Sequence, residues 1–242
     1  MPREPREPRQ PRLVRAAAGV VAALVVLPVA AGCDDAEDRS GEAILRAALD
    51  DMGALRSVRI AASLDAGPAA DDVSVDLSVT DGGRCAGTLT VGNESARLVG
   101  DDGDLYLAGG VPFWDGLLGD GSGQLVEDHL QGRWAKLPAA RAGLAEVCEL
   151  DALLDVVRDE IGSAPAKGGS REVDGTRVLT LTSADGVSSV TISADEPHHL
   201  RELTSTADGS SRTWSFRDFD EPVDVVVPDP ADVAALTELG TG

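Results

Sequence analysis

The sequence predicts an α+β fold in which helices cover one face of an antiparallel sheet. Two patterns support this: apolar residues recur every three or four positions in two segments, and they alternate with polar residues in many shorter ones. Asp-Gly and Gly-Gly turns separate the alternating segments at hairpin spacing. Such strands, interleaved with two helices, indicate an antiparallel sheet with helices on one face. We expect one domain, over residues 42–239.

Two segments, 41–56 and 141–161, have the helical period. The apolar face of the first comprises Ile44, Leu45, Ala48, Leu49, Met52 and Leu55. The apolar face of the second comprises Leu144, Val147, Leu150, Leu154, Val157 and Ile161. A shorter apolar segment, 112–118, predicts a short helix or a lid-like loop.

The other segments alternate with the period of two that is typical of half-buried strands. Residues 73–79 are the clearest case, because valine and leucine alternate there with serine and aspartate. The predicted strands are 73–79, 84–91, 96–99, 104–108, 133–137, 176–182, 187–194, 200–206, 211–219 and 223–227. Residues 164–170 contain Pro165, Gly168 and Gly169 and predict a linker. Residues 230–239 predict one or two final helical turns.

Residues 1–32 have the features of a signal peptide. Residues 1–15 hold five arginines, and the seventeen residues from 16 to 32 are uncharged. This apolar segment, interrupted by Gly19 and Pro28, is shorter than the roughly 18–20 residues of a membrane-spanning helix. A basic region, an apolar region and then small residues are the order found in signal peptides. Arginines do not occur as an adjacent pair, so the Sec pathway is favoured over the twin-arginine pathway.

The end of this segment, Val29-Ala30-Ala31-Gly32-Cys33, resembles the lipobox of bacterial lipoproteins. The resemblance implies that Cys33 becomes the mature N-terminus and carries a thioether-linked diacylglycerol. Two acyl chains hold a protein stably on a bilayer, whereas one chain is marginal. The alternative is an ordinary signal peptide in which Cys33 is incidental. We therefore predict a lipoprotein on the outer face of the cytoplasmic membrane, with residues 33–41 as its lipidated N-terminus and tether.

Two cysteines, Cys85 and Cys148, remain once Cys33 is assigned to lipid. In an exported protein this even remainder predicts a disulfide. Closing a loop of this length would stabilise the fold by about 4 kcal/mol through chain entropy. The alternative is a pair of buried free thiols. Neither cysteine has a histidine at ligand spacing, so we expect no metal site.

The acidic composition excludes nucleic acid as a partner. The chain has 21 basic and 42 acidic side chains, a net charge of −21, and without residues 1–32 the net charge is −24. Binding to nucleic acid needs a cationic excess that neutralises phosphates. Anionic lipid headgroups would repel this charge, so membrane residence must depend on the covalent anchor. We also expect a monomer.

The sequence does not contain the motifs of the common enzyme classes. There is no Gly-x-Ser-x-Gly elbow, and residues 101–104 contain only a fragment of a calcium-loop pattern. His198 and His199 follow Pro197 and predict a solvated pair in a turn, not a catalytic base or a metal ligand. We therefore expect no catalytic residue, no cofactor and no enzymatic activity.

The order of motifs along the chain is similar to that of one known family. A lipobox, an amphipathic helix, a strand meander, an aromatic segment and Gly132-Arg133-Trp134 precede the second helix. Val173-Asp174-Gly175-Thr176 and a second meander follow, ending in Phe-Arg-Asp-Phe-Asp-Glu-Pro-Val-Asp-Val at 216–225 and then Pro228. Over nearly all of residues 41–238 this pattern resembles the actinobacterial LppX/LprAFG lipoproteins and, more remotely, the LolA/LolB-like half-barrels.

The resemblance implies a highly curved antiparallel half-barrel of about 9–11 strands, with helices on its concave face and an apolar cavity between them. It also implies that the protein holds or carries lipids, glycolipids or lipid-modified molecules at the cell envelope. The side chains that we expect to contact lipid are Val75, Leu77, Leu89, Val91, Phe113, Trp114, Leu117, Leu179 and Leu181. The alternative is an envelope interaction or sensory lipoprotein with the same fold and a filled interior.

Overall fold

Four helices and twelve strands form the part of the chain that the computed structural model describes, residues 38–65, 71–138, 147–207 and 210–236. The helices are α1 (Gly41–Gly53), α2 (Val111–Leu118), α3 (Ser122–Leu130) and α4 (Leu150–Ile161). The first six strands are β1 (Ser57–Asp65), β2 (Val73–Thr80), β3 (Cys85–Val91), β4 (Glu94–Asp101), β5 (Asp104–Ala108) and β6 (Trp134–Pro138). The last six are β7 (Ala166–Val173), β8 (Thr176–Thr182), β9 (Ser188–Ser193), β10 (Leu200–Ala207), β11 (Ser210–Arg217) and β12 (Val233–Ala235).

All twelve strands belong to one curved, unclosed sheet. Their order is β12-β6-β5-β4-β3-β2-β1-β11-β10-β9-β8-β7. Every neighbouring pair is antiparallel except β12 and β6, which run parallel. The expected α+β half-barrel with helices on its concave face is therefore confirmed, with twelve strands in place of 9–11.

Helix α1 forms where the period of its apolar residues predicts it. The side chain of Ser40 caps the helix by accepting a hydrogen bond of 3.2 Å from the Ala43 amide. The predicted apolar face is buried over Ile44, Leu45, Ala48, Leu49 and Met52. The first residue must be small, since a Cβ on Gly41 would lie 2.6 Å from the carbonyl oxygen of Pro165.

Helix α4 is shorter than the sequence predicts. It begins at Leu150, and residues 147 and 148 form a turn, while predicted residues 141–146 lie outside the described residues. Glu149 has an extended backbone (φ −100°, ψ 103°), and Cys148 is bonded to Cys85 on the sheet. The residues just before Leu150 are therefore held in a non-helical conformation. From Leu150 onward the predicted face is buried and packs against α1 and β9.

The segment 112–118 is a helix, α2, and a third helix that sequence reasoning missed follows it closely. The connection uses Gly119 (φ 100°) and Gly121 (φ 81°), and a left-handed backbone of this kind favours glycine. Helix α3 then packs tightly on α2, because the Gly123 amide donates a hydrogen bond of 2.8 Å to Asp115 Oδ1. Gly119 and Gly121 thus allow the tight turn between α2 and α3.

Three strands, β1, β7 and β12, were not predicted, and neither β1 nor β7 has a clear alternation of burial. Every residue of β7 is exposed, and its pairing with β8 shifts register between Lys167 and Ser170, so the predicted linker at 164–170 is wrong over most of its length. In β1 the small residues Ala61 and Ala62 weaken the pattern.

The predicted last strand at 223–227 is wrong. Pro222 and Pro228 bracket the segment, and the Val225 carbonyl accepts a hydrogen bond of 2.7 Å from Arg84 Nη2, not from a neighbouring strand. The predicted final helix is reduced to a single 3-10 turn at Pro230–Asp232, followed directly by β12. Residues 237–239 of that prediction lie outside the described residues.

An ion-pair cluster on the polar side of the sheet joins its three central strands. Asp76 on β2 accepts hydrogen bonds from Arg59 Nε and Nη2 on β1 at 2.8 and 2.9 Å. It also accepts two from Arg217 Nη2 on β11, at 3.1 and 3.0 Å. The hydrogen bond from Arg59 lowers the pKa of the Asp76 carboxyl, while partial burial opposes this effect.

Candidate functional site

The inner face of the sheet is built from cross-strand rows of side chains. One row crosses seven neighbouring strands, in the order β3, β2, β1, β11, β10, β9 and β8. Its residues, in the same order, are Leu89, Val75, Ala62, Trp214, Leu203, Val190 and Leu181. The residues at its two ends are buried, whereas Val75, Ala62 and Trp214 in its middle are only half-buried. The row is therefore open to solvent around Ala62, its smallest side chain.

An apolar cleft of about 130 Å³ lies at this opening. Its lining residues are Ala62, Ser63, Leu64, Val73, Ser74, Val75, Val147, Arg212 and Trp214. Leu64 is 36% exposed and extends the apolar surface outward. Ligand sites usually measure about 300–1,000 Å³, so the cleft as it stands has room for only a short apolar segment.

The neighbouring row, which we call the rim row, changes from apolar to polar along its length. In the strand order β3, β2, β1, β11, β10 and β9, the rim row consists of Val91, Val73, Leu64, Arg212, Ser205 and Ser188. The first three are aliphatic, and the last three carry hydrogen-bonding or charged groups. The cleft lies against the junction of the two halves, where Leu64 on β1 is directly opposite Arg212 on β11.

Helix α4 contacts the polar half of the rim row through Glu160. Arg212 Nη2 lies 3.2 Å from Glu160 Oε1, and Ser188 Oγ donates a hydrogen bond of 3.4 Å to Glu160 Oε2. Ser188 Oγ also lies 2.9 Å from Ser205 Oγ. The Glu160 side chain is 17% exposed and that of Arg212 is 45% exposed, so Arg212 is the more accessible member of the pair. Among the residues that the structure describes, Arg212 is the one ionisable side chain in the cleft lining.

The predicted lipid-contacting residues lie mostly in the core of the protein. Seven of the nine are no more than 5% exposed: Leu77, Leu89, Val91, Phe113, Trp114, Leu179 and Leu181. Val75 lines the cleft, and Leu117 is half-buried. The rings of Phe113 and Trp114 meet edge to face, 5.1 Å apart, and Trp114 Nε1 donates to the Gly109 carbonyl at 3.0 Å. A lipid contact at the seven buried positions stays a prediction.

The structure joins Cys85 and Cys148 in a disulfide. Both cysteines are buried, and the bond ties the turn before α4 to the first residue of β3. Gly100 on β4 makes room for the two sulfur atoms, because a Cβ there would overlap Sγ of Cys148. Cys33, the predicted lipid attachment site, lies outside the described residues.

The prediction of a solvated histidine pair is wrong. His198 is 2% exposed, and its Nε2 lies 3.1 Å from Arg39 Nη1. Because arginine can only donate, Nε2 accepts, and the proton lies on Nδ1, which donates to the Ser193 carbonyl at 3.1 Å. His199 stacks on Phe219 at 4.1 Å, and its burial lowers the pKa of the imidazole. His198 thus joins Arg39, just before α1, to the last residue of β9.

The described residues contain neither a candidate metal-binding group nor a membrane-spanning helix. They contain no group of three or more His, Cys, Asp or Glu side chains that could hold a metal ion. In the same residues, no helix is long and apolar enough to cross a bilayer.

Comparison with known proteins identifies the fold. No family model matches the sequence, and no curated protein sequence matches it significantly. Among solved structures, LprF from Mycobacterium bovis matches with a TM-score of 0.54 and 16% identity, over 78% of this chain and 96% of LprF. The lipoprotein LppX from Mycobacterium tuberculosis matches with a TM-score of 0.52 and 18% identity, over 76% of this chain and 97% of LppX. The chain therefore has the fold of LprF and LppX, as the order of its sequence motifs predicts.

Proposed function

We propose that this protein is a non-enzymatic, monomeric envelope lipoprotein that binds the acyl part of a lipid, a glycolipid or a lipid-modified molecule in the cleft between β2, β1 and β11. The observation that carries the proposal is the opening of an otherwise buried apolar row at Val75, Ala62 and Trp214. An apolar surface left open on a concave face is stabilised by an apolar ligand. The fold shared with the lipoprotein LppX supports the same conclusion.

The size of the cleft limits how a ligand can enter. At about 130 Å³ it has roughly the volume of cavities that hold one small apolar molecule such as benzene. A longer acyl chain would extend over Leu64 toward solvent or would widen the cleft. Widening is restricted on one side, since Val147 in the lining is next to the disulfide-bonded Cys148.

The same proposal includes the membrane anchor. Cleavage after residue 32 and a diacylglycerol on Cys33 would hold the domain, residues 42–239, on the outer face of the cytoplasmic membrane. The small residues before Cys33 and the polar tether that follows it support this arrangement. A ligand that comes from or returns to the same bilayer would then have a short distance to travel.

Quenching of Trp214 by a brominated acyl chain tests binding in the cleft. The full-length protein is reconstituted in phosphatidylcholine nanodiscs and titrated with 9,10-dibromostearate, which quenches tryptophan at short range. We expect saturable quenching that Trp214→Phe removes and that Trp134→Phe, outside the cleft, leaves unchanged. Equal quenching in the wild type and in Trp214→Phe would show that the probe binds elsewhere.

A second candidate function, an interaction module with a filled interior, is favoured by the burial of seven predicted lipid-contacting residues. Such a module would show no saturable quenching of Trp214. It would also carry no lipid beyond its own anchor when protein extracted from membranes is analysed by mass spectrometry. These two results together would replace the first proposal with the second.

A further inference from the structure

We infer that the cleft selects an acyl chain that ends in a carboxylate, and that Arg212 binds this carboxylate. The inference rests on the proposed function and adds the chemical class of the ligand. It comes from the rim row, whose aliphatic half and polar half meet at the cleft. A surface that changes from apolar to cationic within one row of side chains matches an amphiphile with an anionic end.

The cleft presents a cationic side chain although the protein as a whole is strongly acidic. The chain has a net charge of −21, yet within the described part of the chain the one ionisable side chain that lines the cleft, Arg212, is cationic. The Arg212 side chain is 45% exposed, so a ligand can reach it. Guanidinium matches carboxylate as a planar fork of donors, and such charge-assisted bonds are stronger than neutral ones.

The register fixes how such a ligand would lie. Arg212 and Trp214 are two residues apart on β11 and therefore project from the same face, about 7 Å apart along the strand. Leu64 is directly opposite Arg212, and Ala62 is directly opposite Trp214. A carboxylate on Arg212 would place the first methylene groups against Leu64 and Trp214, and the following ones over Ala62 toward Val75.

Glu160 competes with the ligand for the same guanidinium. Its Oε1 lies 3.2 Å from Arg212 Nη2, and Ser188 holds its other oxygen. Glu160 therefore positions the arginine at the rim but also repels an incoming carboxylate. Removing this charge while keeping the hydrogen bonds, as in Glu160→Gln, should strengthen carboxylate binding, and removing the charge of Arg212 should weaken it.

Two probes with the same brominated hydrocarbon chain but different head groups separate the contribution of the carboxylate from that of the hydrocarbon chain. Quenching of tryptophan by 9,10-dibromostearate and by 9,10-dibromostearyl alcohol is compared in the full-length protein in phosphatidylcholine nanodiscs. We expect Arg212→Gln to reduce the affinity for the acid on the order of tenfold and to leave that for the alcohol unchanged. Each probe is compared with itself between variants, so its partition into the bilayer cancels.

Three further variants complete the test. Arg212→Lys should retain part of the preference for the acid, and Glu160→Gln should increase it. Arg46→Gln removes an exposed arginine that is paired with Glu42 on α1, outside this cleft, and should change neither affinity.

The outcomes distinguish this inference from the proposal on which it rests. If both probes quench Trp214 and Arg212→Gln affects them equally or not at all, the assignment of Arg212 is wrong and the acyl cleft stands. If neither probe quenches Trp214, the proposed function fails, and the assignment of Arg212 fails with it.

Discussion

Gly100 lies directly against the disulfide, so that a Cβ at this position would overlap Sγ of Cys148 and lie 3.0 Å from Sγ of Cys85. Gly100→Ala must therefore displace either the disulfide or strand β4. We expect a loss of about 1–3 kcal/mol in the free energy of unfolding, as for other overpacked cores. Urea unfolding followed by circular dichroism measures this loss.

The control for this prediction is Gly169→Ala, since no atom lies within 4 Å of a Cβ there and its backbone is not left-handed. Its stability should stay within about 0.5 kcal/mol of the wild type. In a Cys85→Ala, Cys148→Ala background the cost of Gly100→Ala should largely disappear. A cost that persists without the two sulfur atoms would assign the effect to another contact.

Reduction of the disulfide should destabilise the domain. The two cysteines are 63 residues apart in sequence, and closing a loop of this length contributes about 4 kcal/mol in the chain-entropy model. We expect the urea midpoint to fall markedly when a reductant is added. Peptide mapping without reductant should recover the Cys85–Cys148 pair, and recovery of both free thiols would contradict the bond.

The Asp76 cluster should make stability depend on pH. The Arg59 hydrogen bond lowers the pKa of Asp76 in the folded state, so its contribution is present above about pH 4 and is lost as the pH falls through the folded value. Because the Asp76 side chain is 39% exposed, Asp76→Asn should cost less than about 1 kcal/mol at pH 7. This cost should decrease toward pH 3.

Unfolding of the wild type and of Asp76→Asn at pH 7, 5 and 3 measures the change. Asp155→Asn, which removes a carboxylate from an exposed pair on α4, is the control for loss of a surface charge. A cost of Asp76→Asn that is equal at all three pH values would show that the ion pairs are not its source.

Two tryptophan substitutions in one row should have different effects. Val75 and Leu89 are directly opposite each other on β2 and β3, but Val75 lines the cleft while Leu89 is 1% exposed. Val75→Trp should fill the cleft and abolish binding of a fluorescent fatty acid with little loss of stability. Leu89→Trp should destabilise the core by about 1–3 kcal/mol. Probe binding that survives Val75→Trp would place the ligand outside the cleft.

The membrane anchor should depend on the thiol of Cys33. We expect Cys33→Ser to lose incorporation of an alkyne-labelled palmitate and to leave the membrane fraction, because a serine hydroxyl cannot form the thioether. Cys85→Ser should keep the label, as its thiol is assigned to the disulfide. A Cys33→Ser protein that stays labelled and membrane-bound would refute the lipoprotein assignment.

Strands could be predicted from sequence only where one of their faces is buried. In β2, the alternation of Val73, Val75, Leu77 and Val79 with polar residues marked the strand correctly. Strand β7 has no such alternation because all eight residues are exposed. In the segment 223–227 the burial of the side chains alternates, but the backbone is not paired with a neighbouring strand. Alternation shows that one side of a segment is buried, and it does not show that the backbone hydrogen-bonds to a neighbour.

The candidate site could be predicted only in part for a related reason. Val75 belongs to a visible strand pattern, whereas Leu64, Arg212 and Trp214 are brought together by the pairing of β1 with β11. That pairing joins distant segments of the chain, and β1 itself was not predicted. The one local indication was the alternation of Ala62 and Leu64 with Ser63 and Asp65 at the end of β1.

The two edges of the sheet bear on whether copies of this protein aggregate when they are crowded together. An edge strand that is long, flat and apolar can add a strand from another chain and start aggregation. Strand β12 has only three residues, and β7 is interrupted by a register shift and carries Lys167, Arg171 and Glu172. Both edges therefore oppose strand addition, and the open sheet can stay accessible to a ligand without becoming a template for its neighbours.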